Sequence, residues 1–446
     1  MSERKAGTSR RDFIETLGMI GAAGAVGAVA ASCSPGRKEL YPDYTYPPLL
    51  QQAPDGPLLK AGLIGCGGRG TGAAQQFLDS GPNLEVVALA DYFQDRVDNC
   101  RATLLEQRGI EIADENCFTG FEAYHQLLET DIDVVITATP PYFRPQHFEA
   151  CVEARKHVFM EKPLAVDPVG CRSIMASARK ADGLGLCVVT GTQRRHQADY
   201  LDVFREVAGG AIGDVLGANV YWNGVVPWWR DRQPEWTDME YMLRDWVNWT
   251  WLSGDHIVEQ HVHNLDVANW FLGDAHPEKA VGFGSRWRRP TGDQYDSFSI
   301  DFTYEGDRHV HSMCRQISGC ANNVSEMVRG SRGYTNCVDK IWSTDGVEQF
   351  SYPYAMDAEG NQVNPQPYLQ EHIDLVTAIR TNQQVNEAER TAISTLTAIM
   401  GRISCYTGQE VTWDEMMESD LNIGPDQLTL GPSDLIRGVV AVPGTE

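Results

Sequence analysis

The chain has 446 residues, enough for two folded cores plus extensions, since a single core stops growing near about 250–300 residues. Its 61 acidic and 37 basic side chains give a formal net charge of −24, which excludes nucleic acid as a partner because phosphates would be repelled rather than neutralised. The 11 cysteines lack metal-like pairing and read as small buried hydrophobes; an oxidising destination would permit disulfides, whose connectivity the spacing does not give.

Residues 1–33 have the character of an export signal rather than of a fold. Arg4, Lys5, Arg10 and Arg11 precede a weakly apolar Ala/Gly/Val segment from Thr16 to Ser32, too short for a good membrane span. Ser9-Arg10-Arg11-Asp12-Phe13-Ile14 resembles a twin-arginine signal, and Ala31-Ser32-Cys33 a lipoprotein cleavage box, although Ala30 stands where a larger aliphatic residue is usual. The expected location is periplasmic, with ordinary cleavage and a lipid anchor at Cys33 both open. Residues 34–57 carry six prolines, from Pro35 to Pro57, a composition that favours an extended spacer.

The strongest motif follows. Leu59 to Ile64 reads as a buried parallel strand, and it breaks into Gly65-Cys66-Gly67-Gly68-Arg69-Gly70 before helix formers from Thr71 to Phe77. Gly65 permits a tight turn, Gly67 removes the Cβ that would block a pyrophosphate, and Gly70 lets the helix pack closely on the strand. Glu85 to Ala90 is the next strand. Asp91 closes it about 20 residues beyond the glycines, where a carboxylate accepts ribose hydrogen bonds and repels a 2′-phosphate. NAD is therefore favoured over NADP.

Helices are expected at Asp95–Gln107, Phe121–Glu129 and Pro145–Arg155, and strands at Asp133–Thr137 and His157–Met160. This alternation predicts a doubly wound parallel sheet over residues 58–192. Thr139-Pro140 and Glu161-Lys162-Pro163 fall at carboxyl ends of strands, where such sheets bind ligands. Pro163 also restricts the backbone of Lys162.

Past Thr190 the alternation stops. Val215–Tyr221, Ala280–Arg286, Ser297–Thr303 and His309–Cys314 read as strands of an antiparallel or mixed sheet, and 368–381 and 388–407 are helices by period. Residues 193–425 form the expected second α/β domain, with 426–446 as a tail. From Gly254 to Asp266, apolar residues recur at helical spacing, so Glu259 and His263 should lie one turn apart, the carboxylate fixing the tautomer of the imidazole. A metal site from Glu259, His261 and His263 is disfavoured because positions two apart diverge on a helix, and no metal is expected. Tryptophans crowd the span from 221 to 251. Such a loop suits a sugar, with Trp228 and Trp229 as the chosen contacts.

Together Gly65–Gly70, Asp91, Thr139-Pro140, His147, Glu161-Lys162-Pro163-Leu164 and the Gly-Gln-Glu-Val-Thr-Trp-Asp-Glu run at 408–415 resemble the glucose-fructose oxidoreductase, inositol dehydrogenase and MocA family. That resemblance, over roughly 58–420, implies that Lys162 bonds the reacting hydroxyl and the nicotinamide ribose. It also implies that Thr139 and Pro140 line the nicotinamide side, with His147, Glu161 and Gln193 in the cofactor set. The family pattern Asp-x-x-x-His-x-x-Asp reads here as Glu259, His263 and Asp266, and Arg195 matches the arginine bordering the active cleft, with Arg194 open to a structural role. The implied activity is hydride transfer between a sugar, glycoside or cyclitol hydroxyl, often at C3 of a sugar, and tightly held NAD, with His263 as base. A large open, mainly antiparallel sheet in the second domain, and a homo-oligomer through it, are implied as well. A redox-neutral, NAD-dependent glycoside hydrolase and a non-catalytic sugar sensor are the alternative readings.

Overall fold

The computed structural model describes Tyr41 and residues 44–445. The twin-arginine segment and Cys33 lie outside them. In the first half, β1 (Leu59–Ile64), α1 (Gly68–Asp79), β2 (Leu84–Asp91), α2 (Gln94–Arg108), β3 (Cys117–Thr119), α3 (Ala123–Leu128), β4 (Val134–Thr137), α4 (Arg144–Glu153), β5 (His157–Met160), α5 (Pro168–Gly183) and β6 (Val188–Thr190) alternate along the chain. The six strands run parallel in the order β3-β2-β1-β4-β5-β6, the doubly wound topology expected from the sequence. Strand ends at Ile64, Asp91, Thr137 and Met160 consequently share one edge. The helix α5, which was not anticipated, starts where the Asp167 side chain accepts a hydrogen bond from Gly170 N at 2.8 Å and Pro168 occupies the first turn, both strong start signals.

The second half opens with α6 (Ala198–Ala208) and β7 (Val215–Gly224), followed by the short helices α7 (Asp238–Arg244), α8 (Thr250–Ser253), α9 (His256–Glu259) and α10 (Val262–Phe271). Strands β8 (Lys279–Ser285), β9 (Ser297–Tyr304), β10 (Arg308–Gln316), β11 (Asn323–Gly330), β12 (Gly333–Thr335), β13 (Lys340–Ser343) and β14 (Glu348–Ser351) come next, then α11 (Pro367–Thr381), α12 (Ala388–Thr407), β15 (Val411–Thr412) and α13 (Trp413–Glu418). The nine-stranded sheet is mixed. Only the β7–β10 pair is parallel; its other ladders are antiparallel.

Three boundaries differ from expectation. Residues 44–57 are no free spacer: Tyr44 lies 4.8 Å from the Phe204 ring, Ala53 is buried, and Ala53 N donates to Ser80 O at 2.8 Å. The tail also docks, with Leu428, Leu435 and Ile436 packed on a core of Met242, Trp249 and Trp251. Finally α11 returns to the nucleotide half, where Ile373, Leu375 and Val376 join Leu63, Phe77 and Phe159 in one core. Apolar burial decides all three, because composition reports polarity and stiffness but not which surface is available to cover.

Ten cysteines are described, eight of them buried, and none of the ten is in a disulfide. Among the described residues no helix is long and apolar enough to cross a membrane.

Candidate active site at the crevice between the halves

The glycine turn can be read atom by atom. Gly65 has φ +97°, and a Cβ there would lie 2.7 Å from Thr139 N; at Gly70 it would lie 1.8 Å from Gly65 O. At Gly67 and Gly68 it would meet nothing within 4 Å. Two glycines thus serve packing, and two leave open the space in front of the α1 N-terminus that a pyrophosphate needs. Asp91 stands beside it, one oxygen accepting from Cys66 N at 2.7 Å and the other from Phe93 N at 3.0 Å. Burial raises its pKa against those hydrogen bonds. A cleft of about 440 Å³ runs past Gly65, Gly67–Gly70, Asp91, Thr139, Pro140 and His147. The Thr139 hydroxyl and His147 Nδ1 are 3.2 Å apart, and burial followed by Arg144 holds the His147 pKa down at about 3. Gln193 Oε1 is buried without a hydrogen-bond partner, an acceptor that a bound amide or hydroxyl would satisfy. These features fit a dinucleotide.

Arg69 is occupied within the protein. Its Nε donates to Glu161 at 2.5 Å, and the buried carboxylate of Glu371 lies 3.6 Å away. Glu161 in turn accepts from the backbone N–H of Lys162 at 3.2 Å. Glu161 and Arg69 therefore brace the strand end that aims Lys162.

The lysine reaches into the second half. Its Nζ donates to Glu259 O at 2.5 Å and lies 3.3 Å from Glu259 Oε1. This contact explains why the helix expected through Gly254–Asp266 is broken. In a continuous helix His263 N would donate to Glu259 O; here His263 N donates to Gln260 O at 3.3 Å, and Lys162 takes the released carbonyl. The expected Glu259–His263 pairing is accordingly absent: the carboxylate binds Lys162 and the Gln260 side chain instead. The His263 imidazole makes no hydrogen bond to another described residue. It stacks on Trp222 with ring centroids 5.8 Å apart, and burial, then Lys162 and Arg194, hold its pKa well below the ordinary imidazole value. His261 turns elsewhere, its Nε2 lying 2.8 Å from Ser312 Oγ.

Of the four expected substrate contacts, Arg195 and Asp266 are engaged within the protein. Arg195 is 1% exposed, forks onto Asp266 at 2.8 and 2.9 Å and pairs with Asp274 at 2.8 Å. Arg195 and Asp266 thus spend their groups on each other, tying the turn after β6 to α10. Its neighbour Arg194 lies nearer the crevice, paired with Glu326 and 6.0 Å from the Trp222 ring; a dipeptide gives no sign of which member turns inward. Trp228 lines the cofactor cleft, Trp229 is half exposed, and the ring stacked on His263 is that of Trp222. Strand alternation in β7 offered the only signal for it, since Trp222 follows the outward Tyr221.

Comparison with known proteins agrees with the nucleotide-binding fold. Residues 59–189 match the family described as "Oxidoreductase family, NAD-binding Rossmann fold" (GFO_IDH_MocA). This part of the chain is therefore an NAD-binding Rossmann domain of that oxidoreductase type. An inositol 2-dehydrogenase from Salmonella typhimurium is 27% identical over 50% of this chain and 58% of its own length. One from Rubrobacter xylanophilus is 27% identical over 63% of this chain and 71% of its own. The chain spans under two thirds of the length of the Salmonella relatives. Among solved structures, scyllo-inositol dehydrogenase from Lactobacillus casei with bound NAD(H) and scyllo-inositol superposes with TM-score 0.59 at 20% identity, covering 80% of this chain and 99% of that one. Aldose-aldose oxidoreductase from Caulobacter crescentus gives 0.60 at 18%, covering 80% and 99%. These two likenesses establish the shared two-part fold.

Proposed function

We propose that the protein is an NAD-dependent oxidoreductase that oxidises a secondary hydroxyl of a cyclitol or sugar. The observation that carries this reading is the contact of Lys162 with Glu259 across the crevice, 2.5 Å from Nζ to the carbonyl oxygen. It sets an ammonium from the nucleotide half beside the segment that bears His263. Bound NAD supplies the hydride acceptor. Lys162 polarises the reacting hydroxyl oxygen, which favours loss of its proton. Neutral His263 is free to accept that proton, because burial and the nearby Lys162 keep the imidazole uncharged. The C–H hydride leaves as the O–H proton departs, and a carbonyl remains. Glu259 holds the ammonium in place, and Trp222 offers a flat apolar wall next to His263, suited to a ring's C–H face.

Substitution His263→Ala is expected to lower kcat by about 10²–10⁴-fold, the usual worth of a positioned base, while NAD stays bound. Reduced-nicotinamide absorbance after mixing with myo-inositol, scyllo-inositol and a panel of pyranosides, with mass spectrometry of the products, tests substrate class and the C3 position together. Unchanged turnover in the variant would refute the role of His263, and cleaved glycoside without a keto product would refute net oxidation.

The outer face of the nine-stranded sheet supports self-association. Register places Phe283, Ser299, Met313 and Tyr221 in one row, and Phe283 is 73% exposed, with Val281 beside it on the same strand. The exposed Phe283, Val281 and Met313 on one face favour a second copy. Export rests on the Arg10-Arg11 signal, and appearance of the protein in the periplasmic fraction, lost on Arg10→Lys plus Arg11→Lys, is the expected result.

A further inference from the structure

We propose that residues 228–246 of the second half form an adenosine clasp. Trp228 and Trp246 close over the adenosine end of the cofactor, while Arg230, together with Arg96 of α2, holds a phosphoryl group of the dinucleotide and makes NAD a resident cofactor. The inference rests on the NAD reading and adds to it a retaining device in the other half of the chain.

Position comes first. Trp228, Arg230 and Trp246 line the same cleft as Asp91 and the glycine turn, although they lie more than 130 residues further along the chain. Arg230 sits 5.6 Å from the Trp228 ring, and Trp228 packs edge-on to Trp246 at 6.1 Å. Aromatic faces and a guanidinium plane are the surfaces on which a purine stacks.

Charge comes second. A pyrophosphate brings negative charge into a protein that already carries −24. Arg69, the arginine of the glycine turn, is committed to Glu161 and Glu371. Arg96 and Arg230, by contrast, line the cleft with no carboxylate at ion-pairing distance among the described residues, and burial followed by repulsion from Arg96 lowers the pKa of Arg230. Two unpaired guanidiniums that repel each other across a cleft are relieved by an anion placed between them.

Construction comes third. The loop is pinned to the protein by Arg230 N donating to Asp245 Oδ1 at 2.8 Å and by Asn248 Nδ2 donating to Trp228 O at 3.2 Å. Between them Arg244 reaches back to the nucleotide half, its guanidinium 3.8 Å from the Phe93 ring centre and 3.2 Å from Asp95. The clasp is latched to both halves before any ligand arrives.

The test uses the full chain as purified, with released nucleotide quantified after denaturation and dissociation followed by tryptophan fluorescence during exchange with excess NAD. Wild type is expected to keep NAD through gel filtration. Trp228→Ala and Arg230→Gln alter exposed side chains and should fold normally by circular dichroism, yet each should speed NAD loss at least tenfold. Arg230→Gln should also flatten the salt dependence of binding. Parallel titration with NADP separates the two phosphoryl sources: weakening of both dinucleotides supports capture of the shared pyrophosphate. Weakening of NADP alone, through its 2′-phosphate, overturns the role in holding NAD. Folded variants that retain NAD as wild type does overturn the clasp. Wild type that neither contains nor binds NAD overturns the cofactor reading itself, an outcome distinct from a failed clasp.

Discussion

Lys162 and His263 show how residue chemistry depends on what surrounds each group. The lysine has an acidic partner from the other half, and the histidine has none. With His263 held well below the ordinary imidazole pKa, its protonation should not limit catalysis in the usual range near pH 6.5. A profile of kcat/KM is expected to stay flat from pH 8 to pH 6, and a loss centred on an unperturbed imidazole would contradict the assignment. His196 behaves oppositely. Burial disfavours its charge, yet Glu387 at 3.2 Å and Asp374 at 2.6 Å outweigh that and push its pKa up to about 10. Because the folded value exceeds the unfolded one, this stabilisation is full below about pH 6.5 and disappears as pH rises through about 10. Melting temperature should fall between pH 7 and pH 10, and His196→Gln should reduce that dependence while lowering stability at pH 7 by about 3–5 kcal/mol, the cost of breaking a buried pair.

Elements decide what a glycine or a helix break means. Gly70 and Gly67 belong to one motif, yet the strand–helix packing assigns them different tasks. Gly70→Ala forces a Cβ into Gly65 O and is expected to destabilise the fold by about 1–3 kcal/mol or more. Gly67→Ala meets no protein atom. It should leave melting unchanged and weaken NAD at least tenfold in calorimetric titration, about 1.4 kcal/mol. Equal losses of stability in both variants would deny the pyrophosphate its place. The break between α9 and α10 is likewise an element-scale event: a carbonyl leaves its helix to meet Lys162. Hydrophobic period alone ran a helix straight through it, because periodicity records which faces are apolar and says nothing of hydrogen bonds taken by residues far away in the chain.

At the scale of the molecule, α12 packs on both halves, against α5 on one side and β8 on the other, so one helix ties them together. The exposed face of the nine-stranded sheet points away from that inner packing. Phe283→Lys, by placing a charge at the most exposed member of that row, is expected to convert an oligomer to monomer in light scattering while turnover per chain persists. A wild-type protein that is monomeric at micromolar concentration would remove the sheet face as an interface.

The nucleotide half was legible residue by residue. Strands at Leu59–Ile64 and His157–Met160, the turn glycines, Asp91 and Lys162 all announce themselves locally, because a parallel strand is a continuous apolar run and a phosphate turn demands glycine at fixed offsets. The second half yielded its large sheet but not its site. Whether Arg194 or Arg195 faces the crevice, whether Trp222 or Trp228 stands by His263, and whether Glu259 serves the imidazole or the lysine are matters of long-range partners. Those partners lie 97 residues away in the Lys162–Glu259 contact and 132 in the Arg194–Glu326 pair. Local sequence specifies which side chains are available; only the packing of distant segments decides which hydrogen bonds and charges they spend on one another.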